Sequence, residues 1–370
     1  MSKATGTGRT MSASSRVFLA SIAFWGLSGV IGCGASNAGG GGGGGGGTMG
    51  PTPLASGGAK DVYVQQYTTS GLLESIMDFS ADTSGSLTPK ATLLLPANAE
   101  FFSMAIDSAG ELYVGVLTTD TSLDEVLVYA PGATGQATPV RTINLLSPGF
   151  PFVPLDLTVS PSGKLFVVGP EEIGTFPADA SGDTSPSNVL SVGPSVDPVG
   201  IAADAAGNVY IANYIVGNNS SGQMLVYAAG ASGNALPIVT IDTPGIPYGV
   251  TLDASGNFYT SANVVTLDSS GEITASINQV VEYPALSSSA VNPVKTIAGS
   301  ATGLTFATGP QIDEAGNLYL FTTITSGSGS AEVYTPEIVG FAPTASGNVK
   351  PGLTFTSSSW TYSGDHIAVH

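Results

Sequence analysis

Hydrophobic and polar residues alternate in short runs along the chain, and turn residues separate the runs. Within residues 200–242 the runs are GIAAD, NVYIAN, QMLVYA and PIVTI. Val209 and Ile211 alternate with Tyr210 and Ala212, as expected of a half-buried β-strand. No long window after the N-terminal region places apolar residues at helical spacing. The pattern therefore predicts four short strands in this stretch and almost no helix in the body of the chain.

One turn sequence occurs five times: TLDASGNFY has near-copies in AIDSAGELY, TVSPSGKLF, AADAAGNVY and QIDEAGNLY. In the first of these, Asp253 can accept hydrogen bonds from the backbone amides of the turn, and Gly256 can take the positive φ that closes a short hairpin. A calcium loop is the alternative, but each turn has one carboxylate and lacks the alternating ligands of an EF-hand. The copies predict structural corners between the first two strands of a repeated unit.

Two further markers recur in phase with this corner. An aromatic residue precedes a small-residue turn at Phe79, Tyr129, Phe176, Tyr227, Tyr283 and Tyr334. A proline begins the last strand of each unit at Pro89, Pro139, Pro186, Pro237, Pro293 and Pro351. Four strands repeated about every 51 residues are typical of a propeller blade. We predict an all-β fold, a six-bladed β-propeller of four-stranded antiparallel blades.

The two ends of the body predict how the ring closes. Residues 61–67, DVYVQQY, match a second strand, whereas the C-terminal SGDHIAVH resembles a first strand. We expect His366–His370 to pair with Asp61–Tyr67, so that one C-terminal strand and three N-terminal strands share a blade. Closure of this kind removes the exposed sheet edges that an open array would leave.

The N-terminus has a separate pattern. Three basic residues precede the short apolar run VFLASIAFWGLSGVIG, as in a secretory signal peptide. The run ends at Cys33, the one cysteine, and VIGC resembles the lipobox of bacterial lipoproteins. That resemblance implies cleavage before Cys33, lipid on this cysteine, and, with Gly34 following, the outer membrane. The alternative is an ordinary signal peptide with a chance cysteine.

The predicted domains are therefore a signal peptide over 1–32, a lipidated cysteine and flexible glycine-rich tether over 33–57, and a propeller over 58–370. After Cys33 there are six basic against 27 acidic residues, hence a charge of −21. Such a surface repels nucleic acid and anionic headgroups, so we exclude both as partners of the body. Solubility of a secreted domain is the alternative reason for the charge. We expect a monomer that meets the membrane only through Cys33.

The segment GIAADAAGNVYIAN, residues 200–213, resembles the repeats of NHL and SMP-30/gluconolactonase-like six-bladed propellers. As a pattern, the resemblance extends over residues 58–370. It implies the fold, but the superfamily contains enzymes and binding modules alike. Its lactonases hold calcium at the ring axis, and calcium prefers oxygen ligands. In this chain Asp197, Asn213, Asp242, Asn263 and Glu100 are the residues of that chemistry on the predicted ligand face.

Candidate chemistry is sparse. The two histidines, His366 and His370, fall in the last strand, too few for a catalytic triad or a zinc motif, so no catalytic residue is assigned. Ligand-face candidates are Asn213, Asn263, Asp197, Tyr248 and Phe150. Strand capping by the amides, and plugging of the ring by the aromatics, are the alternatives. We expect a non-enzymatic module that binds a protein or carbohydrate without a cofactor; the alternative is a calcium-dependent lactone hydrolase.

Overall fold

The computed structural model describes residues 50–67, 73–118, 123–145, 153–215, 221–269, 273–286, 292–326, 333–360 and 363–370. These residues form six antiparallel four-stranded blades of a β-propeller, and none of them is helical. Among them, no helix has the length and apolarity to cross a membrane. The predicted fold class is confirmed. The predicted signal peptide, Cys33 and most of the tether lie outside the described residues.

The strands follow one another in chain order with short connections. Blade 1 contains β1 (Asp61–Tyr67), β2 (Leu73–Ser80) and, after the short β3 (Gly85–Ser86), β4 (Ala91–Leu94). Blade 2 contains β5 (Ala99–Ile106), β6 (Leu112–Thr118), β7 (Leu123–Tyr129) and β8 (Arg141–Asn144). Blade 3 contains β9 (Asp156–Val159), β10 (Leu165–Val168), β11 (Glu172–Phe176) and β12 (Asn188–Ser191).

The second half of the ring has the same order. Blade 4 contains β13 (Asp197–Ala203), β14 (Val209–Tyr214), β15 (Gly222–Tyr227) and β16 (Val239–Asp242). Blade 5 contains a first strand in two pieces, β17 (Ile246–Pro247) and β18 (Thr251–Leu252), then β19 (Phe258–Leu267), β20 (Ile273–Tyr283) and β21 (Lys295–Ala298). Blade 6 contains β22 (Thr308–Ile312), β23 (Leu318–Ser326), β24 (Val333–Phe341) and β25 (Leu353–Thr356), and β26 (Ser363–Val369) ends the chain.

The last strand closes the ring as predicted. β26 is the innermost strand of blade 1 and pairs antiparallel with β1, with Val369 opposite Val62 and Ile367 opposite Val64. The inner strands then contact one another in the order β26, β5, β9, β13, β18, β22 and back to β26. Closure therefore depends on a pairing between residues about 300 positions apart.

The hydrophobic core consists of one cluster between each pair of adjacent blades. Because every blade faces two neighbours, both of its faces are buried. The marker aromatic residues fill these clusters; Phe79, Tyr129 and Phe176 have no exposed surface. Burial of one such ring contributes about 2–3 kcal/mol, so the repeated aromatics are the main packing units of the ring.

The repeated corners have the predicted geometry. Asp253 Oδ1 accepts hydrogen bonds from the backbone N–H groups of Ser255 and Asn257 at 2.8 and 2.9 Å. Gly256 has φ of 82°, a conformation that favours glycine. Asp107 accepts the equivalent pair of bonds in blade 2. The corners are structural hairpins between the first and second strands.

The small-residue turns between the third and fourth strands link neighbouring blades. Gly135, Gly182, Gly233 and Gly347 each form a parallel bridge with the outermost strand of the preceding blade. In blade 6 the residue equivalent to Tyr129 is Phe341, which lies opposite Leu318 as Tyr129 lies opposite Leu112. The prediction of Tyr334 at this position is wrong, because β24 is long and Tyr334 lies seven residues earlier in it.

Residues 50–60, here called the strap, run along blade 6 before β1 begins. The N–H of Ala55 donates to Asn317 Oδ1 at 2.6 Å, and Asn317 Nδ2 donates to the Ala55 carbonyl at 3.1 Å. The N–H of Ala59 donates to Asp313 Oδ2 at 2.8 Å. A Cβ at Gly352 would collide with the carbonyl oxygen of Thr52, so glycine is needed there. Hydrogen bonds and close packing thus hold the strap on blade 6.

A proline explains why the strap binds to this blade. In blades 4 and 5 the corner asparagines, Asn208 and Asn257, accept the N–H of Ala229 and Ala285. The equivalent residue of blade 6 is Pro343, which has no N–H to donate. Asn317 therefore has a free acceptor, which the strap uses.

Candidate functional site

The propeller has two different faces. The first strand of every blade runs from what we call the loop face, which carries the loops between blades and those between second and third strands, to the corner face. Proteins use such loop clusters on a rigid scaffold for binding. The loop face and the axis below it are therefore the candidate site.

One position of each inner strand forms a ring around the axis. It lies two residues before the residue that pairs with the repeated aromatic of the second strand. In blades 1 to 6 the occupants are His366, Ser103, Asp156, Gly200, Gly249 and Gly309. The axial ring is thus polar over three adjacent blades and glycine over the other three.

Two polar residues of the axial ring connect neighbouring blades. Ser103 Oγ donates to the Pro154 carbonyl at 2.9 Å. Asp156 accepts the N–H of Leu157 on Oδ1 at 2.8 Å and the N–H of Ile201 on Oδ2 at 2.9 Å. These bonds join blade 2 to blade 3 and blade 3 to blade 4. These oxygen atoms therefore already take part in hydrogen bonds within the fold.

The glycine half of the axial ring allows the inner strands to approach closely. A Cβ on Gly200 would lie 2.5 Å from the Cα of Gly249, and a Cβ on Gly249 would lie 2.8 Å from Pro310 Cδ. Gly249 also has φ of 108°. No other residue suits these contacts, so the asymmetry of the ring is built into its packing.

His366 gives the ring its one imidazole. Its Nε2 lies 3.9 Å from Asp156 Oδ1, too far for a hydrogen bond, and its ring lies 6.1 Å from the ring of Phe101. The side chains of His366 and Asp156 are 28% and 18% exposed, so both are reachable from solvent. His370 lies apart from them at the corner face, next to Gly110.

The structure brings together two of the residues predicted for the ligand face. Asn213 Oδ1 accepts the N–H of Asp197 at 2.8 Å, where β14 ends beside the start of β13. Asn213 is buried, and burial raises the pKa of the Asp197 carboxyl. Asn213 thus fixes the first residue of the inner strand β13, and Asp197 is the more accessible of the two.

Asn263 has a different environment. Its Nδ2 donates to Ser276 Oγ at 2.8 Å and to Asn278 Oδ1 at 3.1 Å. Asn263 is 1% exposed, and its Oδ1 has no hydrogen-bond partner among the described residues. The amide therefore lies below the surface at the base of the long hairpin of blade 5.

An aromatic pair lies on loops that enter blades 5 and 6. The rings of Tyr248 and Phe306 are 5.4 Å apart, and both residues are half-buried. Burial, with a smaller effect of Tyr214, raises the pKa of Tyr248 to about 12. Phe306 was not anticipated from the sequence, because it belongs to a loop without a repeat marker. Phe150, the other predicted aromatic, lies outside the described residues.

Charge is segregated between the two faces. Every lysine and arginine after Cys33 stands in a corner or at the start of a second or fourth strand, hence on the corner face: Lys60, Lys90, Arg141, Lys164, Lys295 and Lys350. The loop face carries only acids among the described residues: Glu100, Asp124, Glu125, Asp156, Glu171, Glu172, Asp197, Asp242, Asp268 and Glu337. Burial raises the pKa of three of these carboxyls, those of Glu100, Asp197 and Glu337.

The described residues do not form a set of ligands that suits calcium. The ion takes about six to eight oxygen ligands. The axial ring offers one carboxylate, Asp156, with both oxygens bonded to backbone amides. Asp242 lies on the outermost strand β16 and accepts from Gln223 at 2.9 Å, away from the axis. Within the described ranges, no three His, Cys, Asp or Glu side chains form a group that could hold a metal.

No family model matches the chain, and no curated protein matches it. Similar solved structures include a protein of unknown function from Bacteroides caccae, with 12% identity, TM-score 0.54, and 84% and 98% of the two chains covered. A gluconolactonase from Xanthomonas campestris has 15% identity, TM-score 0.39, and 71% and 83% coverage. Regucalcin, a calcium-binding protein from Agrobacterium tumefaciens, has 13% identity, TM-score 0.33, and 76% and 89% coverage. At such low identities the likeness shows the fold alone.

Proposed function

We propose that this protein is a lipid-anchored β-propeller of the bacterial cell envelope, and that it acts as a binding module through its loop face. The single observation that carries the binding proposal is the segregation of charge. A face with acids only and no described lysine or arginine attracts cationic groups over several ångströms. The corner face attracts cations less strongly, because six basic residues offset part of its acidic charge, as Arg141 does beside Glu111.

The axial ring supports binding over catalysis. Ser103 and Asp156, two of the three polar residues of the axial ring, are bonded to backbone atoms of the next blade. A nucleophile or general base has to reach the substrate with a free atom. The fold instead uses these atoms to hold its inner strands in register.

The binding proposal is tested by titrating the full chain with a lysine oligomer and a glutamate oligomer at two salt concentrations. We expect salt-sensitive binding of the lysine oligomer alone. Replacing Glu171 and Glu172 by Gln on the loop face should weaken it, whereas Glu314→Gln, an exposed acid on the corner face, is the matched control. Equal weakening by both variants would remove the loop face from the proposal.

The anchor is tested separately in cells. The VIGC sequence supports lipid attachment at Cys33. Labelled fatty acid should be incorporated into the wild-type chain, which should sediment with membranes. Cys33→Ser should lose the label and appear in the soluble fraction. A wild-type chain that is secreted without label would refute the anchor and leave the binding proposal intact.

A lactone hydrolase of the gluconolactonase class is the second candidate. The fold accommodates this activity as readily as a scaffold role. The observation that favours it is the partly exposed pair of His366 and Asp156 near the axis. Hydrolysis of a sugar lactone by the full chain, lost in His366→Gln, would replace the binding module as the main proposal.

A separate melting experiment tests for a metal, since the resemblance implies calcium. Thermal melting is recorded with EDTA and with added calcium. Because the described residues do not suit calcium, we expect equal melting temperatures. A rise with calcium of more than a few degrees would mean that a site exists, and would favour the hydrolase.

A further inference from the structure

The second and third strands of blades 5 and 6 are longer than those of their neighbours. β14 ends four residues after its marker aromatic, Tyr210, whereas β19 and β23 end eight and seven residues after theirs. At about 3.3 Å per residue, these hairpins extend roughly 10–13 Å further at the loop face. We call the extensions the arms: residues 264–267 with 273–278 in blade 5, and residues 322–326 with 333–337 in blade 6.

The arms continue beyond the strands that flank them. In blade 5, β17 pairs with β19 only up to Asn263, and β21 pairs with β20 only from Gln279 onward. In blade 6, pairing with β22 reaches Phe321, and pairing with β25 reaches Ile338. Within the described part of the chain, each arm is thus a two-stranded ribbon whose lateral edges lie outside the ladders of its blade. Such edges present backbone N–H and C=O groups to which another strand can bind.

The arms are held side by side. Asn278 Nδ2, in the third strand of blade 5, donates to the carbonyl of Thr305. The hydroxyl of Thr305 donates to the carbonyl of Thr323 in the second strand of blade 6, and the two hydroxyl oxygens are 3.2 Å apart. One loop residue therefore links both arms, so that they form a fixed surface.

The arms also carry exposed apolar side chains. Ile277 is 52% exposed and Ile324 is 41% exposed, one on each arm. Four of the other large exposed apolar residues stand just before outermost strands, at the rim: Val140, Leu236, Ile238 and Val294. Leu94 is also 40% exposed, but it ends the outermost strand of blade 1 and its N–H donates to the Gly135 carbonyl of blade 2. Ile277 and Ile324 are therefore the large exposed apolar residues of the described arms.

Charge indicates what kind of strand suits this surface. Asp268 follows β19 directly, and Glu337 ends the described arm of blade 6. No lysine or arginine lies on the described loop face, so an incoming segment with basic side chains would be attracted. A second copy of this chain would bring its own acidic loop face and be repelled.

We propose that the two arms are the docking site for an extended segment of a partner protein, which has basic side chains and adds to an arm edge as an extra strand. Main-chain hydrogen bonds would hold the segment, apolar side chains would cover Ile277 or Ile324, and its bases would meet the acidic face. The inference rests on the proposed binding function and names the partner's chemistry.

Three synthetic peptides of about ten residues test the proposal against the full chain. One alternates lysine with threonine and valine. The second has glutamate in place of lysine, and the third keeps the lysines but has proline at alternate positions, which removes strand hydrogen bonding. We expect the first peptide to bind and both others to bind at least about tenfold more weakly. Equal binding of the proline peptide would mean that charge alone acts, and would overturn the proposal.

Variants then locate the site. Ile277→Lys combined with Ile324→Lys should weaken binding of the first peptide at least about tenfold, because it removes the apolar contact and repels the bases. Ile238→Lys, an equally exposed isoleucine at the rim, is the matched control and should bind as wild type. Unchanged melting temperatures verify that all three positions tolerate lysine.

Hydrogen exchange separates this inference from the proposed function. Bound peptide should slow exchange of backbone amides in at least one arm strand, within residues 264–267, 273–278, 322–326 or 333–337. Slowed exchange only around Tyr248 and Phe306 would contradict docking on the arms and leave the loop face as a binding surface. A peptide that protects neither region, and binds no better than its glutamate version, would overturn both.

Discussion

At the scale of single residues, buried tyrosine hydroxyls differ in whether the fold satisfies them. Tyr319 is 1% exposed, and its hydroxyl donates to Asp313 Oδ2 at 3.0 Å. Tyr129 has no exposed surface, and its hydroxyl has no hydrogen-bond partner among the described residues. Phenylalanine occupies the position of Tyr129 in three other blades, at Phe79, Phe176 and Phe341.

We therefore expect Tyr129→Phe to stabilise the protein. Removing a buried hydroxyl without a partner should raise the free energy of unfolding by about 1 kcal/mol. Tyr319→Phe is the matched control and should lower it by about the same amount, because Asp313 loses a donor. Urea denaturation of both variants measures the difference. Destabilisation by Tyr129→Phe equal to that of the control would show that its hydroxyl has a partner.

A buried carboxyl gives a prediction for pH. Burial raises the pKa of Asp78 from its ordinary value of 3.8 to about 6, although Lys90 Nζ lies 3.5 Å away. The folded state thus holds this proton more tightly than the unfolded chain. The stabilising effect is complete below about pH 4 and is lost as pH rises through 6.

Asp78→Asn should therefore melt at a higher temperature than wild type above pH 6. The gain in the free energy of unfolding should be about 1–2 kcal/mol after allowance for partial solvent screening. The advantage should shrink toward pH 4. Melting temperatures across pH 3.5–8 check it. An advantage that does not change with pH would mean that the carboxyl titrates normally.

Residue roles were readable from the sequence wherever the cause is local. The corner aspartates could be assigned because their hydrogen bonds stay within five residues. The axial ring was missed because its contacts cross blades, as from Ser103 to Pro154. A signal did exist: each ring residue lies four positions before the corner aspartate or its equivalent, so one column of the aligned repeats reads His, Ser, Asp, Gly, Gly, Gly.

At the scale of elements, side chains at the start of the outermost strands fasten neighbouring blades. Lys295 Nζ donates to the Pro343 carbonyl at 3.1 Å and pairs with Glu282 at 2.7 Å. Arg141 Nη1 makes the equivalent bond from blade 2 to the Ala178 carbonyl of blade 3 at 2.7 Å. Two of the six basic residues after Cys33 thus hold neighbouring blades together.

Lys295→Met should lower the free energy of unfolding by about 1–2 kcal/mol, because the side chain of Glu282 is 7% exposed and would lose its charged partner. Adding Glu282→Gln should recover most of that loss, since the uncompensated charge is removed. Urea denaturation of the single and double variants measures both effects. A double variant as unstable as the single one would show that the contact with Pro343 dominates.

The length of an element was harder to read than its existence. All six outermost strands follow their prolines as predicted, because proline marks the start locally. The extent of β24 was not anticipated, because it contains Pro336, a residue that is rare inside strands and is typical of turns. The misplaced marker at Tyr334 has the same cause.

At the scale of the whole molecule, the ring depends on one strand. β26 supplies Ile367 and Val369 to the cluster between blades 6 and 1, and its loss would expose the edge of β1. Total stabilities are only about 5–15 kcal/mol, so removal of a complete inner strand should abolish the cooperative transition. The sequence could predict this closure, because strand types can be counted from both ends.

Deletion of residues 363–370 tests the closure. The truncated chain should lose its sharp melting transition, and a synthetic peptide of the same residues should restore it in proportion to its occupancy. A peptide with Ile367 and Val369 replaced by Asn is the control and should not restore it. A truncated chain that melts like the full one would contradict the role of β26.

The strap has a mechanical consequence. It joins the N-terminal region to β1, yet its hydrogen bonds are to Asn317 and Asp313 of blade 6. A pull on the N-terminus would therefore load those few bonds in shear before any tension reached the seam where the ring is fastened. The strap would yield first, and the closed ring would be protected from a force applied to the N-terminal end of the chain.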